Sequence, residues 1–347
     1  MKKMFFRNTD AVIITEKSNL YYFSCFNNDD ATIVFTKDKN YYITDSRNME
    51  GAKEIVKGFE LINNGPSTYL ETAIKLCNDS NVNIIGYEDE QIKHKDYAAL
   101  ENALPGKQFI PMSDRIAQMR QSKDERELSY ITKAQEITDL VFKEILDYIK
   151  PGMTELQVAS QINSRIYGYG CTLAFDPIVS FGRNTSKPHS APSTNVLDKI
   201  DIILLDFGAK YMGYCSDMSR SFAIGKVDSE YKRVYEHVLA GQNAVLSGLR
   251  ADIKGCDCDA IARNYFQRVG LDEYFLHGLG HGVGIDIHEA PSLSRSSQDQ
   301  ICAGAVVTIE PGLYFNGHFG IRVEDMVRFE NNAVYNLTKS PKTLIIL

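Results

Sequence analysis

An apolar strand that ends in an acid needs something to hold that acid. Residues 202–205, Ile-Ile-Leu-Leu, predict a buried strand, and Asp206 follows at once. A second strand-like run covers residues 214–224 and contains Asp217. Gly208 and Gly213 mark a turn between the two. With Tyr211 and Met212 as the loop, Asp206 faces Asp217 directly across the hairpin. Two carboxylates opposed on one sheet face repel each other. A cation between them removes the conflict, and hard divalent cations favour carboxylate oxygen. The hairpin alone is equally consistent with two aspartates flanking a solvated turn.

A second stretch, residues 277–324, is dense in His, Gly and acids. His277-Gly278-Leu279-Gly280-His281-Gly282-Val283-Gly284 sets two histidines four apart, which would be a ligand pair on a helix. The interleaved glycines argue against a helix, so extended or looped backbone is expected. His288-Glu289 follows. Residues 305–309, Ala-Val-Val-Thr-Ile, predict a buried strand closed by Glu310, with Pro311-Gly312 next. A carboxylate in that position is costly unless paired or metal-bound. In Ile321-Arg322-Val323-Glu324-Asp325, alternation puts Arg322 and Glu324 on one face, where the guanidinium can support the carboxylate. Each piece has an ordinary explanation. A core histidine is usually hydrogen-bonded structure, a strand-end Glu a solvated cap, and an Arg-x-Glu pair a surface pair. Together, Asp206, Asp217, His281, Glu310 and Glu324 supply four carboxylates and one imidazole. Two divalent cations would neutralise that charge. A bridging carboxylate pair with one His is the arrangement expected of a two-metal hydrolase.

With 347 residues, 44% of them hydrophobic, the chain has room for two domains. Residues 1–115 alternate short predicted strands (11–15, 20–24, 31–36, 41–44, 82–87, 108–110) with helical spacing at 46–59 and 67–77. This α/β module holds no Gly-rich phosphate loop and no dense cluster of His and acids. Residues 111–121 read as a linker. Ser122-Lys123-Asp124-Glu125 then reads as a capping box opening a long helix that Pro151-Gly152 ends. Thr154 and Gln157 cap a second helix, a strand follows near 173–181, and further helices are expected over 228–249 and 257–269. No internal repeat is strong enough to identify. The net charge of −7 argues against nucleic acid and against anionic membranes as partners. No apolar run is long enough to predict a membrane span. The opening Met1-Lys2-Lys3-Met4-Phe5-Phe6-Arg7 has a short apolar run for a signal peptide. Seven scattered cysteines fit reduced thiols, and a cytoplasmic location is expected. Cys256-Asp257-Cys258 has no partner cluster at zinc-site spacing and reads as structural.

At these residues the chain resembles the pita-bread metallopeptidases, and among them the Xaa-Pro aminopeptidases and Xaa-Pro dipeptidases (prolidases). The likeness is carried by Asp206-Phe207-Gly208, Ser216-Asp217-Met218-Ser219-Arg220, His277-Gly278-Leu279-Gly280-His281-Gly282 and Ile287-His288-Glu289. Thr308-Ile309-Glu310-Pro311-Gly312, Arg322-Val323-Glu324-Asp325 and the segment from Phe181 through Asn184 to Pro188-His189 add to it. It covers residues 122–347, and residues 1–115 resemble the family's smaller creatinase-type N-terminal domain. The resemblance implies an α+β pita-bread catalytic domain preceded by that α/β domain. It implies two divalent metal ions, usually manganese, with cobalt or zinc as alternatives. Asp206, Asp217 and Glu324 would bind one metal, and Asp217, His281, Glu310 and Glu324 the other, with Asp217 and Glu324 bridging. A metal-activated hydroxide would attack the scissile carbonyl, and Glu310 would pass a proton to the leaving proline nitrogen. His189 and His288 would contact the substrate carbonyl and the intermediate, His277 would line the pocket, and Arg322 would hold Glu324 and its neighbours. The implied substrate is a peptide with proline at the second position, and the implied assembly is a homodimer.

Three relatives of the fold differ in kind. Methionine aminopeptidases generally lack the large N-terminal domain, creatinases lack the metal set, and non-enzymatic binding proteins typically lose ligands that are all present here. Prolidases often carry Arg in a His-Glu-x-Pro-Arg pattern, suited to a dipeptide's free carboxylate. Here the pattern reads His288-Glu289-Ala290-Pro291-Ser292, which favours an aminopeptidase, with a dipeptidase as the alternative if Arg295 substitutes.

Overall fold

A computed structural model describes residues 8–79, 82–331 and 333–347; the opening run of residues 1–7 lies outside them. The chain divides into two compact units, Met1–Arg120 and Gln121–Leu347. Helices and strands mix throughout, as α+β predicts. Among the described residues no helix is long and apolar enough to cross a membrane.

The first unit is built on one six-stranded sheet. Its strands run Glu60–Asn63, Asn40–Thr44, Ala31–Thr36, Ala11–Ile14, Ile84–Tyr87, Gln108–Pro111 across the sheet. The three central strands pair antiparallel, and each flank is parallel. Ala11–Ile14 is buried on both faces, which is why it reads as an unbroken apolar run. The strand expected at 20–24 is instead part of the helix Lys17–Ser24. The buried Glu88 carboxylate accepts from Thr15 N, Glu16 N and Asn19 Nδ2, satisfying donors at the start of that turn. The expected linker at 111–121 is also helical, over Ser113–Gln121. Here Asp89 accepts from Met112 N and Ser113 N, a cap supplied from far away in sequence. The helix expected over 46–59 is confined to Met49–Ile55; residues 56–59 are irregular and lead into the strand Glu60–Asn63.

The second unit repeats one plan twice. Helices Glu125–Tyr148 and Glu155–Gly168 pack with the sheet of Ile178–Phe181, Asp201–Asp206 and Ser219–Ile224 around one apolar core. Helices Ser229–Gly248 and Gly255–Arg268 pack with the sheet of Glu289–Leu293, Gly280–Gly282, Val306–Ile309, Asp325–Phe329 and Val334–Asn336 around another. Even the bridging pair beside each second helix recurs, Thr154 with Val196 and Lys254 with Gln300. The repeat lies in the topology; the residues that fill it differ. The first helix begins two residues later than predicted: Asp124 and Glu127 form the capping box, while Ser122 donates to Ala303 O. Thr154 and Gln157 form the second capping box as expected.

The hairpin register differs from the expectation. Strand Asp201–Asp206 pairs Ser219–Ile224, with Asp206 opposite Ser219, not Asp217. Further along, Tyr211 pairs Tyr214 and Lys210 pairs Cys215, so the turn is Met212-Gly213. Both residues have positive φ, 45° and 76°, as a two-residue hairpin turn that follows the strand twist requires. Gly213 supplies that conformation at no steric cost, which the Tyr211-Met212 loop could not. Asp217 then falls in the irregular stretch 216–218 between the strands Tyr214–Cys215 and Ser219–Ile224. The run predicted at 173–181 is likewise broken, into Thr172–Leu173 and Ile178–Phe181.

Candidate metal centre

The acids sit where strands of the two halves end. Asp206 closes the middle strand of the first half's sheet, between Ile178 and Ser219. Glu310 follows the strand Val306–Ile309, and Glu324 lies between Phe319–Arg322 and Asp325–Phe329. His281 is the middle residue of Gly280–Gly282, extended as the glycines predicted. Those glycines are there for close packing: a Cβ on Gly280 would sit 2.1 Å from Thr308 O, and one on Gly282 2.3 Å from Ala290 O. All nine residues singled out from the sequence line one cavity of about 360 Å³: Asp206, Asp217, His281, Glu310, Glu324, His189, His277, His288 and Arg322.

Inside it the carboxylates crowd one another. Ligand atoms of Asp217, His281 and Glu324 lie within 4.8 Å of each other. His281 Nε2 is 3.3 Å from Glu310 Oε1 and 3.6 Å from Asp217 Oδ2. Its Nδ1 donates to Gly282 O at 3.1 Å and its Nε2 faces the carboxylates; burial opposes the charged ring, but the Glu310 hydrogen bond and charge raise its pKa. Burial, then the charges of Glu324, Asp206 and Glu310, push Asp217 well above the usual carboxylate range. Glu324 rises likewise, through burial and then Glu310 and Asp206. Glu310 moves the other way: burial opposes ionisation, but the His281 hydrogen bond and charge and the Arg322 charge draw it to about 2.

Arg322, 2% exposed, is placed differently from the prediction. Its Nη2 pairs with Asp206 Oδ2, its Nη1 donates to Tyr314 OH at 2.7 Å, and its Nε to Ser219 Oγ at 2.7 Å. Glu324 is reached only through Ser219, whose hydroxyl donates to Glu324 Oε2 at 2.7 Å. The strand stops at Arg322, so simple alternation does not carry across to Glu324. Tyr314 OH also lies 3.0 Å from His277 Nε2, and His277 Nδ1 lies 2.7 Å from Gly278 O. Nδ1–H donates to that carbonyl, Nε2 accepts from the tyrosine, and the ring is neutral. Burial lowers its pKa in the same sense. His288 lies edge-on to His281 with ring centroids 4.2 Å apart, and burial lowers its pKa too.

Three buried carboxylate oxygens here have no hydrogen-bond partner: Asp206 Oδ1, Asp217 Oδ1 and Glu324 Oε1. An unpaired charged oxygen out of water costs several kcal/mol, about 3–5 for a group left without its partner. Hard oxygen donors plus one imidazole nitrogen fit divalent cations, which would satisfy all three.

The chain's relatives agree with this chemistry. The model of metallopeptidase family M24 matches residues 129–331, and that of the creatinase/prolidase N-terminal domain matches residues 2–122. The chain belongs to metallopeptidase family M24. This M24 peptidase is 33% identical over 339 residues to an uncharacterized peptidase of Bacillus subtilis, covering 97% of this chain and 96% of that one. A solved Xaa-Pro dipeptidase from Bacillus anthracis superposes with TM-score 0.93 at 33% identity, over 98% of this chain and 95% of that one. An X-Pro aminopeptidase from Thermotoga maritima gives TM-score 0.92 at 31% identity, over 100% of both chains. The fold is thus the pita-bread α+β catalytic domain with a creatinase-type N-terminal domain, and the family is one of divalent-metal enzymes.

Several supports of the M24 site carried no signal in the sequence. Gln242, fully buried, donates to Ile309 O and Val323 O, the carbonyls just before Glu310 and Glu324. Arg220 donates to Ser219 O and Glu324 O and pairs with Asp325. Lys123 and Glu289 form a buried ion pair at 2.7 Å beside His288. The all-free cysteines include buried Cys258 and partly buried Cys256, with no cluster around them among the described residues.

Proposed function

We propose that this M24 peptidase removes the N-terminal residue from peptides with proline second, and that it prefers peptides longer than two residues. In this reading Asp206, Asp217 and Glu324 hold one divalent ion, and Asp217, His281, Glu310 and Glu324 the other. The metal pair supplies an activated water and polarises the scissile carbonyl. Glu310, ionised at neutral pH, accepts a proton at its carboxylate and delivers it to the proline nitrogen as that leaves. His189 and His288, both lining the cavity, donate toward the oxygen that gains charge. Arg322 keeps Asp206 and, through Ser219, Glu324 in place. Phe175, Ile178 and Ile287 offer apolar walls for a proline ring or the residue before it. Manganese and a homodimer belong to the same proposal and rest on the family resemblance; a cytoplasmic location rests on the scattered cysteines.

One observation carries the length preference. Apart from its histidines, the cationic side chain among the described residues lining the cavity is Arg322, already bound to Asp206, Ser219 and Tyr314. Ser292 and Ser294 occupy the wall after His288-Glu289, and Arg295 is exposed and outside the lining. A dipeptide's carboxylate therefore meets hydroxyls instead of a guanidinium. A charged hydrogen bond forgone is worth about 1.5–3 kcal/mol, roughly ten- to a hundredfold in kcat/KM. The paired comparison is Ala-Pro against Ala-Pro-Ala on manganese-loaded enzyme, with the tripeptide expected to win. A tenfold preference for the dipeptide would make this a prolidase; if Arg295→Ala then removed that preference, Arg295 would be the carboxylate's partner.

A further inference from the structure

The loop that brings His189 to the cavity is tied down by a carboxylate that the mechanism does not use. Glu155, the first residue of helix Glu155–Gly168, is 0% exposed. Its side chain accepts five hydrogen bonds, all from uncharged donors. Oε1 takes Phe181 N at 2.8 Å, Asn184 Nδ2 at 3.0 Å and Asn195 Nδ2 at 3.2 Å. Oε2 takes Ser193 N at 2.9 Å and Ser193 Oγ at 2.6 Å. The backbone adds two more ties, Glu155 N to Asn195 O and Leu156 N to Ser193 O, both at 3.1 Å. The negative charge sits at the N-terminal end of its own helix, where the backbone dipole favours it.

The donors come from both ends of one segment, residues 181–184 and 193–195. Between them lie Pro188, whose carbonyl accepts from Arg322 Nη1 at 3.2 Å, and His189. The His189 ring lines the cavity, is exposed, and has no hydrogen bond to it among the described residues. Its place is therefore set by its loop, and the loop's two ends meet at one carboxylate. We propose that Glu155 is the positioning residue for His189: the five-donor clamp fixes where the ring stands over the scissile carbonyl. The inference rests on the role given to His189 above.

A kinetic double-mutant cycle tests it, with kcat, KM and bound manganese measured for Glu155→Gln, His189→Ala and the double variant. Glutamine keeps the shape but turns an amide toward donors that need an acceptor. His189→Ala should lose on the order of a hundredfold in kcat with metal still bound, as for removal of one donor to the developing oxyanion. Glu155→Gln should also lose on the order of a hundredfold in kcat, with KM and metal content little changed, because misplacing a group by about 1 Å costs that much. In the His189→Ala background the same change should cost about twofold or less, since the two act as one unit. An equal loss in both backgrounds overturns the proposal and leaves Glu155 a structural anchor. Near-normal turnover by His189→Ala alone overturns the role of His189 instead, and the proposal falls with it. Should Glu155→Gln fail to fold, Ser193→Ala deletes one donor only. Its expected loss is about tenfold with His189 present and none without it; equal losses again overturn the proposal.

Discussion

Asp217→Ala is expected to leave the enzyme unable to hold either metal ion. Asp217 is 4% exposed, its Oδ1 has no protein partner, and its Oδ2 faces His281. In the proposed ligand set it is one of two carboxylates, with Glu324, common to both ion positions, so its loss should reach both. Metal analysis after saturation should fall from about two equivalents to near zero, and kcat/KM should drop by roughly a thousandfold or more, several kcal/mol of lost transition-state stabilisation. Folding should survive. In metal-free buffer the variant should be at least as stable as the parent, because burial and the charges of Glu324, Asp206 and Glu310 already disfavour ionised Asp217. Adding metal should then raise the parent's melting midpoint and leave the variant's unmoved. Full metal content with full activity in Asp217→Ala would sink the ligand assignment.

Arg322→Met is expected to act on stability first. The guanidinium is buried against Asp206, Ser219 and Tyr314, and the methionine replaces its length but none of its donors. Asp206 would be left as a buried carboxylate without its cation, beside Asp217 and Glu324. Breaking such a pair costs about 3–5 kcal/mol. In a unit of this size that corresponds to a fall of about 10 °C in melting midpoint. The loss should be larger in metal-free protein, where nothing else offsets the Asp206 charge, and calorimetry with and without manganese measures both. A midpoint within about 2 °C of the parent in both states would show that the pair carries little. Arg322→Lys should rescue only part, since a point charge cannot reach Asp206, Ser219 and Tyr314 together.

Much of the site was legible because its chemistry is written in residue type and local spacing. Strand-end acids and a glycine-interleaved histidine pair led to the same cavity, and the Pro188-His189 loop, picked out only by the family resemblance, joins them there. Supports supplied from elsewhere in the fold were not legible. Asp206 was expected to face Asp217, but the positive-φ Met212-Gly213 turn shifts the register and sets Ser219 opposite instead. Arg322 was expected to support Glu324 directly, yet its strand ends before Glu324 and its charge goes to Asp206. Balancing four carboxylates against two dications left out that third source of positive charge. In the first unit, helix Ser113–Gln121 was misread because Asp89 caps it from across the fold, while helix Lys17–Ser24 is capped by its own Glu16, with Glu88 holding the chain just before it. The doubled plan of the second unit was invisible for a related reason. Topology repeats there, but one half contributes Asp206 and Asp217 and the other His281, Glu310 and Glu324.

The central claim is that these carboxylates and His281 make a two-metal site that cleaves before proline. Titrating metal-stripped enzyme with manganese, while following release of alanine from Ala-Pro-Ala, tests it most directly. The account predicts negligible rate at the start and a rise that levels off at about two equivalents per chain. Full hydrolysis by the stripped enzyme, or manganese binding at that stoichiometry with no alanine released, would contradict it.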